Sequence, residues 1–194
     1  LADSLRTQGL YNDAISEYAR LGPIVQKSPG SPHAKIVEIW PIYCYIKLYE
    51  TYSKAALKDA RYKAAAGKIF NTAMQTVKKL DEKPPARQTN EYSLYKLIRA
   101  LLRVQYARQY EQSGNELKAA EFYRQSVLEV TEGIVSARVG LDWLPESLLM
   151  AGGAYEKLSL NEAAINVYKK VSIFYKGSKW AIESKKRLDA IPAT

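Results

Sequence analysis

The sequence predicts an all-helical protein on three observations. Apolar residues recur at three and four positions through long segments, the spacing of a helix with one buried face. No stretch shows sustained apolar and polar alternation between hairpin turns. Gly and Pro gather between the periodic segments, where they punctuate rather than interrupt. With 47% hydrophobic and 25% charged residues in 194, the chain can bury a core and reads as one domain over residues 1–194. Its most apolar uncharged run, Ile39 to Ile46, falls far short of the roughly 18–20 residues that span a bilayer.

Taken in order, the elements carry their own boundary signals, and eight helical segments are expected. Leu1 to Ser4 reads as the latter part of a first helix, so the expectation is a fragment of a longer chain with an upstream segment. Ser28 to Ser31 reads as a connection, and Ser31-Pro32 as the cap and first residue of the helix after it. Pro41 lies inside an otherwise helical stretch and should kink that helix or mark its true start, since it removes a donor and clashes with the preceding turn. Lys83 to Thr89, with Pro84-Pro85, reads as a second connection, and Asn90 as the start of the helix beyond it. Ser113 with Glu116, and Ser159 with Glu162, fit the S-x-x-E capping box. Asp142 to Pro145 opens the segment that begins near Glu146, and Ser178 opens the last one, ahead of Trp180-Ala181.

Several segments share one internal pattern. Tyr155, Ala164, Tyr168 and Val171 are spaced like Tyr110, Ala119, Tyr123 and Ser126, with Ser159 and Gly114 at the break between the two helices of each pair. Gly9, Tyr11, Ala14, Tyr18 and Leu21 repeat the turn and second helix. Ala66, Phe70 and Ala73 give a less complete copy, with Leu57 and Arg61 where Tyr and Gly stand elsewhere. Small residues where two helices approach, and aromatic residues where one pair leans on the next, are what stacked helix pairs require.

These residues resemble the tetratricopeptide repeats, whose pattern is matched best by Gly152, Tyr155, Ala164 and Tyr168. The resemblance implies an irregular α-solenoid of antiparallel helix pairs. It is irregular because Ala14, Ala66, Ala119 and Ala164 lie farther apart than the family's period of about 34 residues. Tyr175-Lys176-Gly177-Ser178-Lys179-Trp180-Ala181, followed by Arg187-Leu188, is similar to the ending of bacterial cell-envelope members, with Lys176-Gly177 in place of Pro-x. That likeness implies a periplasmic or envelope-associated scaffold, while a cytoplasmic location stays open.

The chemistry-bearing residues are few. One His and one Cys exclude an ordinary Cys/His zinc site and an internal disulfide. His33 reads as a solvent-facing first-turn residue and Cys44 as a small buried hydrophobe among Tyr43, Tyr45 and Ile46. Phosphate-binding and metalloprotease motifs are missing from the sequence, and Asp81-Glu82 sits beside Lys78, Lys79 and Lys83 as a solvated cluster. The expectation is a protein that is not an enzyme, with no cofactor, no metal and no catalytic residue.

Charge carries the partner signal. The formal net charge is +9. Lys54, Lys58, Arg61, Lys63, Lys68, Lys78 and Lys79 face only Asp59 over their span. Lys157, Lys169, Lys170, Lys176, Lys179, Lys185, Lys186 and Arg187 face Glu162 and Glu183. Such fields speed encounter with anionic partners. The bland reading is a set of solvated outer faces; the sharper ones are an acidic peptide or protein, and then nucleic acid, another polyanion or an anionic membrane surface. Tyr92, Tyr95, Arg99, Arg103, Tyr106 and Tyr110 form a stripe at helical spacing that could stack bases, but packing between helices explains it better.

The resemblance implies a groove lined by first-helix positions, where such arrays hold a peptide or protein segment. Projected onto this chain, those positions are Arg6; Thr51, Ala55 and Lys58; Val104, Arg108 and Glu111; and Leu149, Gly153 and Glu156. The function expected is a protein-interaction module, with self-association possible at an unpaired terminal repeat.

Overall fold

The computed structural model describes residues 1–28, 34–137 and 141–192. Among them are nine α-helices and no strand, so the all-α class holds, with one helix more than the eight expected. Ser31-Pro32 and His33 lie outside the described residues. The chain divides into two compact units, Leu1–Pro85 and Ala86–Thr194, with the break at the Pro84-Pro85 connection.

The first unit holds α1 (Ala2–Thr7), α2 (Tyr11–Gln26), α3 (Ala34–Ala56) and α4 (Arg61–Glu82), each packed on the next. Its core centres on α3, where Ile39, Ile42, Cys44 and Ile46 are fully buried. Pro41 does not mark a helix start, because α3 runs through it from Ala34. Burial of Ile39, Trp40, Ile42 and Tyr43 on either side holds that backbone helical despite the missing donor. Cys44 is buried as expected, and burial pushes its thiol up to about 12. From α4 the buried stripe is Ala66, Phe70, Ala73, Val77 and Leu80, and Tyr49–Phe70 and Tyr52–Tyr62 ring contacts run α3 antiparallel to it.

The second unit holds α5 (Asn90–Gln112), α6 (Glu116–Ser136), α7 (Leu144–Lys157), α8 (Asn161–Phe174) and α9 (Lys179–Ala190). Each again packs on its successor, and α7 also touches α5 and α9. The α5–α6 hairpin is antiparallel: its contacts step from Tyr110–Phe122 through Arg99–Glu129 to Tyr92–Glu132.

One turn recurs in both units. Leu10 N–H bonds Leu5 O, Asn115 N–H bonds Tyr110 O and Leu160 N–H bonds Tyr155 O, each at 2.9 Å. This is the six-to-one bond of a Schellman ending, which needs a left-handed residue just before the donor. Gly9 (φ 81°), Gly114 (φ 76°) and Ser159 (φ 57°) supply it. The copy that begins α4 has no such residue. There Asp59 accepts from Arg61 N–H at 3.0 Å and grips its guanidinium, a different solution where Arg61 replaces the glycine.

That turn corrects the capping boxes. Ser113 is the C-cap of α5, its hydroxyl donating to Tyr110 O, and Ser159 occupies the left-handed position, so neither starts a helix. Asn115 caps α6 by accepting from Lys118 N–H at 3.1 Å, while α8 begins without a side-chain cap. For α5 the cap is Thr89 rather than Asn90, accepting from Tyr92 N–H at 3.1 Å. Ser178 caps α9 as expected, accepting from Ala181 N–H at 3.1 Å.

Of the repeated positions, Ala14 and Tyr18, Ala66, Phe70 and Ala73, Ala119, Tyr123 and Ser126, Ala164, Tyr168 and Val171 are buried, while Tyr11, Leu21, Tyr110 and Tyr155 are half-buried. Gly152 shows how tight this seam is, since a Cβ there would stand 2.3 Å from Cε1 of the buried Tyr168 ring. Gly152→Ala should therefore destabilise by about 2 kcal/mol despite its better helix propensity. Ser159→Gly, one turn beyond the same helix, should stabilise by about 0.5–1 kcal/mol by relieving left-handed strain. Urea midpoints of the two variants moving in opposite directions would bear out this reading of the hairpin, and a neutral Gly152→Ala would refute it.

Candidate interaction surface

The first-helix positions singled out in the sequence sit beside a recurring polar device. Tyr123 of α6 buries its ring and donates its hydroxyl to Glu111 of α5 at 3.0 Å, and Lys157 of α7 reaches the other oxygen of that carboxylate at 2.9 Å. One pair later, Tyr168 of α8 donates to Glu156 of α7, whose second oxygen lies 3.4 Å from Arg187 of α9. Each acid stands twelve residues before its tyrosine, bridging the second helix of its own pair and a cation from farther along the chain.

The first unit varies the same device. Twelve residues before Tyr18 stands Arg6, so the tyrosine donates instead to Asp3, at 2.5 Å. Arg6 turns onto α3, its guanidinium carbon 3.5 Å from the Trp40 ring centroid, with Asp3 at 3.7 Å and only 9% of the side chain exposed. Twelve before Phe70 stands Lys58, which is exposed; a phenyl ring has no hydroxyl to satisfy.

The remaining positions divide by burial. Thr51 is exposed and donates its hydroxyl to Lys47 O at 3.1 Å, and Ala55 is half-buried. Val104 is in the core with Ala107, Ala119, Tyr123 and Ala154, which brings the C-terminal half of α5 against α7. Arg108 is exposed and contacts Gln105 Oε1 at 3.4 Å, while Leu149 and Gly153 are half-buried on α7. In the second unit the structure thus joins Glu111 to Lys157, Glu156 to Arg187 and Val104 to Ala154. Lys157 and Arg187 were legible only as members of a basic run. The signal for them is the acid twelve residues ahead of a buried tyrosine.

The tyrosine and arginine stripe of α5 faces α6. Tyr92 donates to Glu132, Lys96 bonds Glu129 at 2.7 Å and Glu132 at 2.8 Å, and Arg99 bonds Glu129 at 2.8 Å. Phe122 stacks with Tyr106 and Tyr110 at ring distances of 5.3 and 5.4 Å. Inter-helix packing is therefore what the stripe does. Burial opposes the Lys96 charge, but hydrogen bonds to Glu129 and Glu132 outweigh it and hold its pKa above the usual lysine value. Those to Lys96 and Tyr92 hold the Glu132 carboxyl below its usual range.

Among the described residues no three His, Cys, Asp or Glu side chains converge on a common point, and no helix is long and apolar enough to cross a membrane. Compared with known proteins, the chain matches no family model and no curated sequence.

The buried phenols set an alkaline limit. Burial first, and then the hydrogen bond to a carboxylate, raise the pKa of Tyr18, Tyr123 and Tyr168 above the ordinary tyrosine value. A group whose folded pKa is raised contributes stability that is complete below its unfolded value, about 10, and is lost as pH climbs above it. Helical circular dichroism should accordingly fall above about pH 10, in step with the tyrosinate absorbance of these three residues. Replacing all three by Phe should flatten that dependence. Full tyrosinate absorbance with the helix signal intact would overturn the assignment.

Proposed function

We propose that the protein is a non-enzymatic protein-interaction module, an irregular tetratricopeptide-like solenoid whose first helices hold a peptide or protein segment. The observation that carries this reading is the recurrence, in both units, of one element: a left-handed turn, a buried Ala and Tyr seam, and a tyrosine hydroxyl held by an acid. In the second unit α7 packs on both α5 and α9, which suits first helices laid side by side with α6 and α8 behind them. The face so formed carries exposed Arg108 and half-buried Leu149 and Gly153 between the tethered carboxylates of Glu111 and Glu156. Lys157 and Arg187 are matched by Glu111, Glu156 and Glu183, so the preference for an acidic segment rests on Arg108 and on the net charge of +9.

Selection of a random displayed peptide library on the purified protein, with hits remeasured by fluorescence polarisation, tests this. Arg108→Glu should weaken the selected peptides roughly tenfold at an unchanged melting temperature, with affinity falling as salt rises. Library peptides that bind wild type and Arg108→Glu equally would end the groove reading. Tighter binding of a single-stranded oligothymidylate, with a salt slope of several released counterions, would favour the polyanion alternative.

A further inference from the structure

On the α5–α6 seam lies an open depression of about 360 Å³ lined by Lys96, Arg103, Gln125, Leu128, Glu129 and Glu132. It uses none of the residues of the proposed groove. Arg103 and Val104 adjoin in sequence but point about 100° apart around the helix.

The charges in this depression do not cancel. Lys96 and Arg99 hold Glu129, and Lys96 with the Tyr92 hydroxyl holds Glu132. Both carboxylates are satisfied by cations other than Arg103. The Arg103 guanidinium makes no hydrogen bond or ion pair with any described residue. It lies 5.8 Å from the Phe122 ring centroid, and that ring is itself fixed in a stack with Tyr106 and Tyr110. A guanidinium seated against an aromatic ring loses freedom in advance and keeps N–H groups for a planar acceptor. Leu128, 69% exposed, supplies the apolar part of the lining.

Among the groups that line the depression or bond to its acids, Lys96, Arg99 and Arg103 outnumber Glu129 and Glu132 by one. Arg87 acts on Glu132 only through space, so the directly placed charges leave room for one negative charge. A carboxylate matches that number and the bidentate geometry of arginine. A phosphate dianion, or a nucleic-acid strand with its successive phosphates, would bring further negative charge against Glu129 and Glu132, whose fields persist although their bonds are met. We infer that this depression receives an aspartate or glutamate side chain of a partner protein segment, its carboxylate paired with Arg103 and an adjacent apolar residue lying over Leu128.

The test uses capped peptides with a central Glu and varied apolar neighbours, their Gln and phosphoserine counterparts, and the single capped glutamate, with affinities read by fluorescence polarisation. On the wild-type chain, Glu→Gln in the peptide should cost roughly tenfold. On Arg103→Gln the same peptide change should cost nothing, and Arg103→Lys should recover only part of the loss, because a point charge does not reproduce the fork. Leu128→Ser should abolish the preference for apolar neighbours, while Arg108→Glu leaves these affinities unchanged. Circular dichroism melts of each variant separate lost binding from lost folding, and the peptide-side change needs no variant at all. No binding, or no preference for Glu over Gln on the wild-type chain, would overturn the proposal. So would equal discrimination on Arg103→Gln, tighter binding of phosphoserine peptides or oligothymidylate, or a single capped glutamate that binds as well as the peptides.

Discussion

Much of this structure follows from the cost of burying a phenol. Tyr18, Tyr123 and Tyr168 each place a ring in the seam between helices, where a hydroxyl left without a partner would cost about 1–3 kcal/mol. Each therefore needs an acceptor on the preceding helix, and Asp3, Glu111 and Glu156 provide it. A carboxylate at the edge of a core incurs its own desolvation penalty and in turn favours a cation. Lys157 and Arg187 come from helices farther along, so the polar chain runs from α6 through α5 to α7, and from α8 through α7 to α9. In the first unit the chain ends differently, because the Arg6 cation is met by the face of Trp40 rather than by a distant acid. Where Phe70 replaces tyrosine the requirement lapses, and Lys58 is left in solvent.

This has a consequence for binding. Glu111 and Glu156 are fixed from two sides, so a ligand held as proposed on the α5 and α7 face would meet acids already oriented and partly neutralised. Such a surface does not reorganise when it binds, which lowers the entropic cost of association. It also leaves little polar capacity on those acids, so under the proposed function discrimination would fall to Arg108, Leu149 and Gly153. The tight approach at Gly152 serves the same rigidity, since it leaves room for the Tyr168 ring directly against α7.

The helices and their buried seam were legible in the sequence because spacing alone specifies which side of a helix is apolar. The second-helix Ala and aromatic positions of all four copies are buried, the first-helix Tyr110 and Tyr155 are half-buried, and Gly9 and Gly114 take left-handed backbone at the breaks. The capping boxes misled because S-x-x-E is blind to dihedral angle: Ser113 closes the helix before the turn, and Ser159 is the turn. The polar chain was hidden for another reason. Its members lie twelve to 46 residues apart on different helices, beyond any local window. Glu111 and Glu156 were marked as ligand positions, yet nothing local in the sequence says that a phenol and a cation hold them. Lys157 and Arg187 look in the sequence like surplus charge and in the structure are compensated.

Removing those compensated cations changes what the net charge of +9 means. On α4, Lys63, Lys68, Lys78 and Lys79 are exposed and make no ion pair among the described residues. They do not form a continuous track. Between Lys68 and Lys78 the exposed side chains are neutral, Asn71, Thr72 and Gln75, over a rise of roughly 15 Å. That exceeds the Debye length of about 8 Å at physiological salt, so the two ends act as separate weak fields rather than one binding stripe. The C-terminal pair also has a local role, since cations there offset the partial negative charge of the last carbonyls of the helix. A polyanion needs closely spaced cations, whereas an acidic segment needs one or two that are well placed. The distribution of charge on α4 therefore argues against a polyanion stripe there, and the proposed recognition of an acidic segment would draw on Arg103 and Arg108 of α5 rather than on the more numerous lysines of α4.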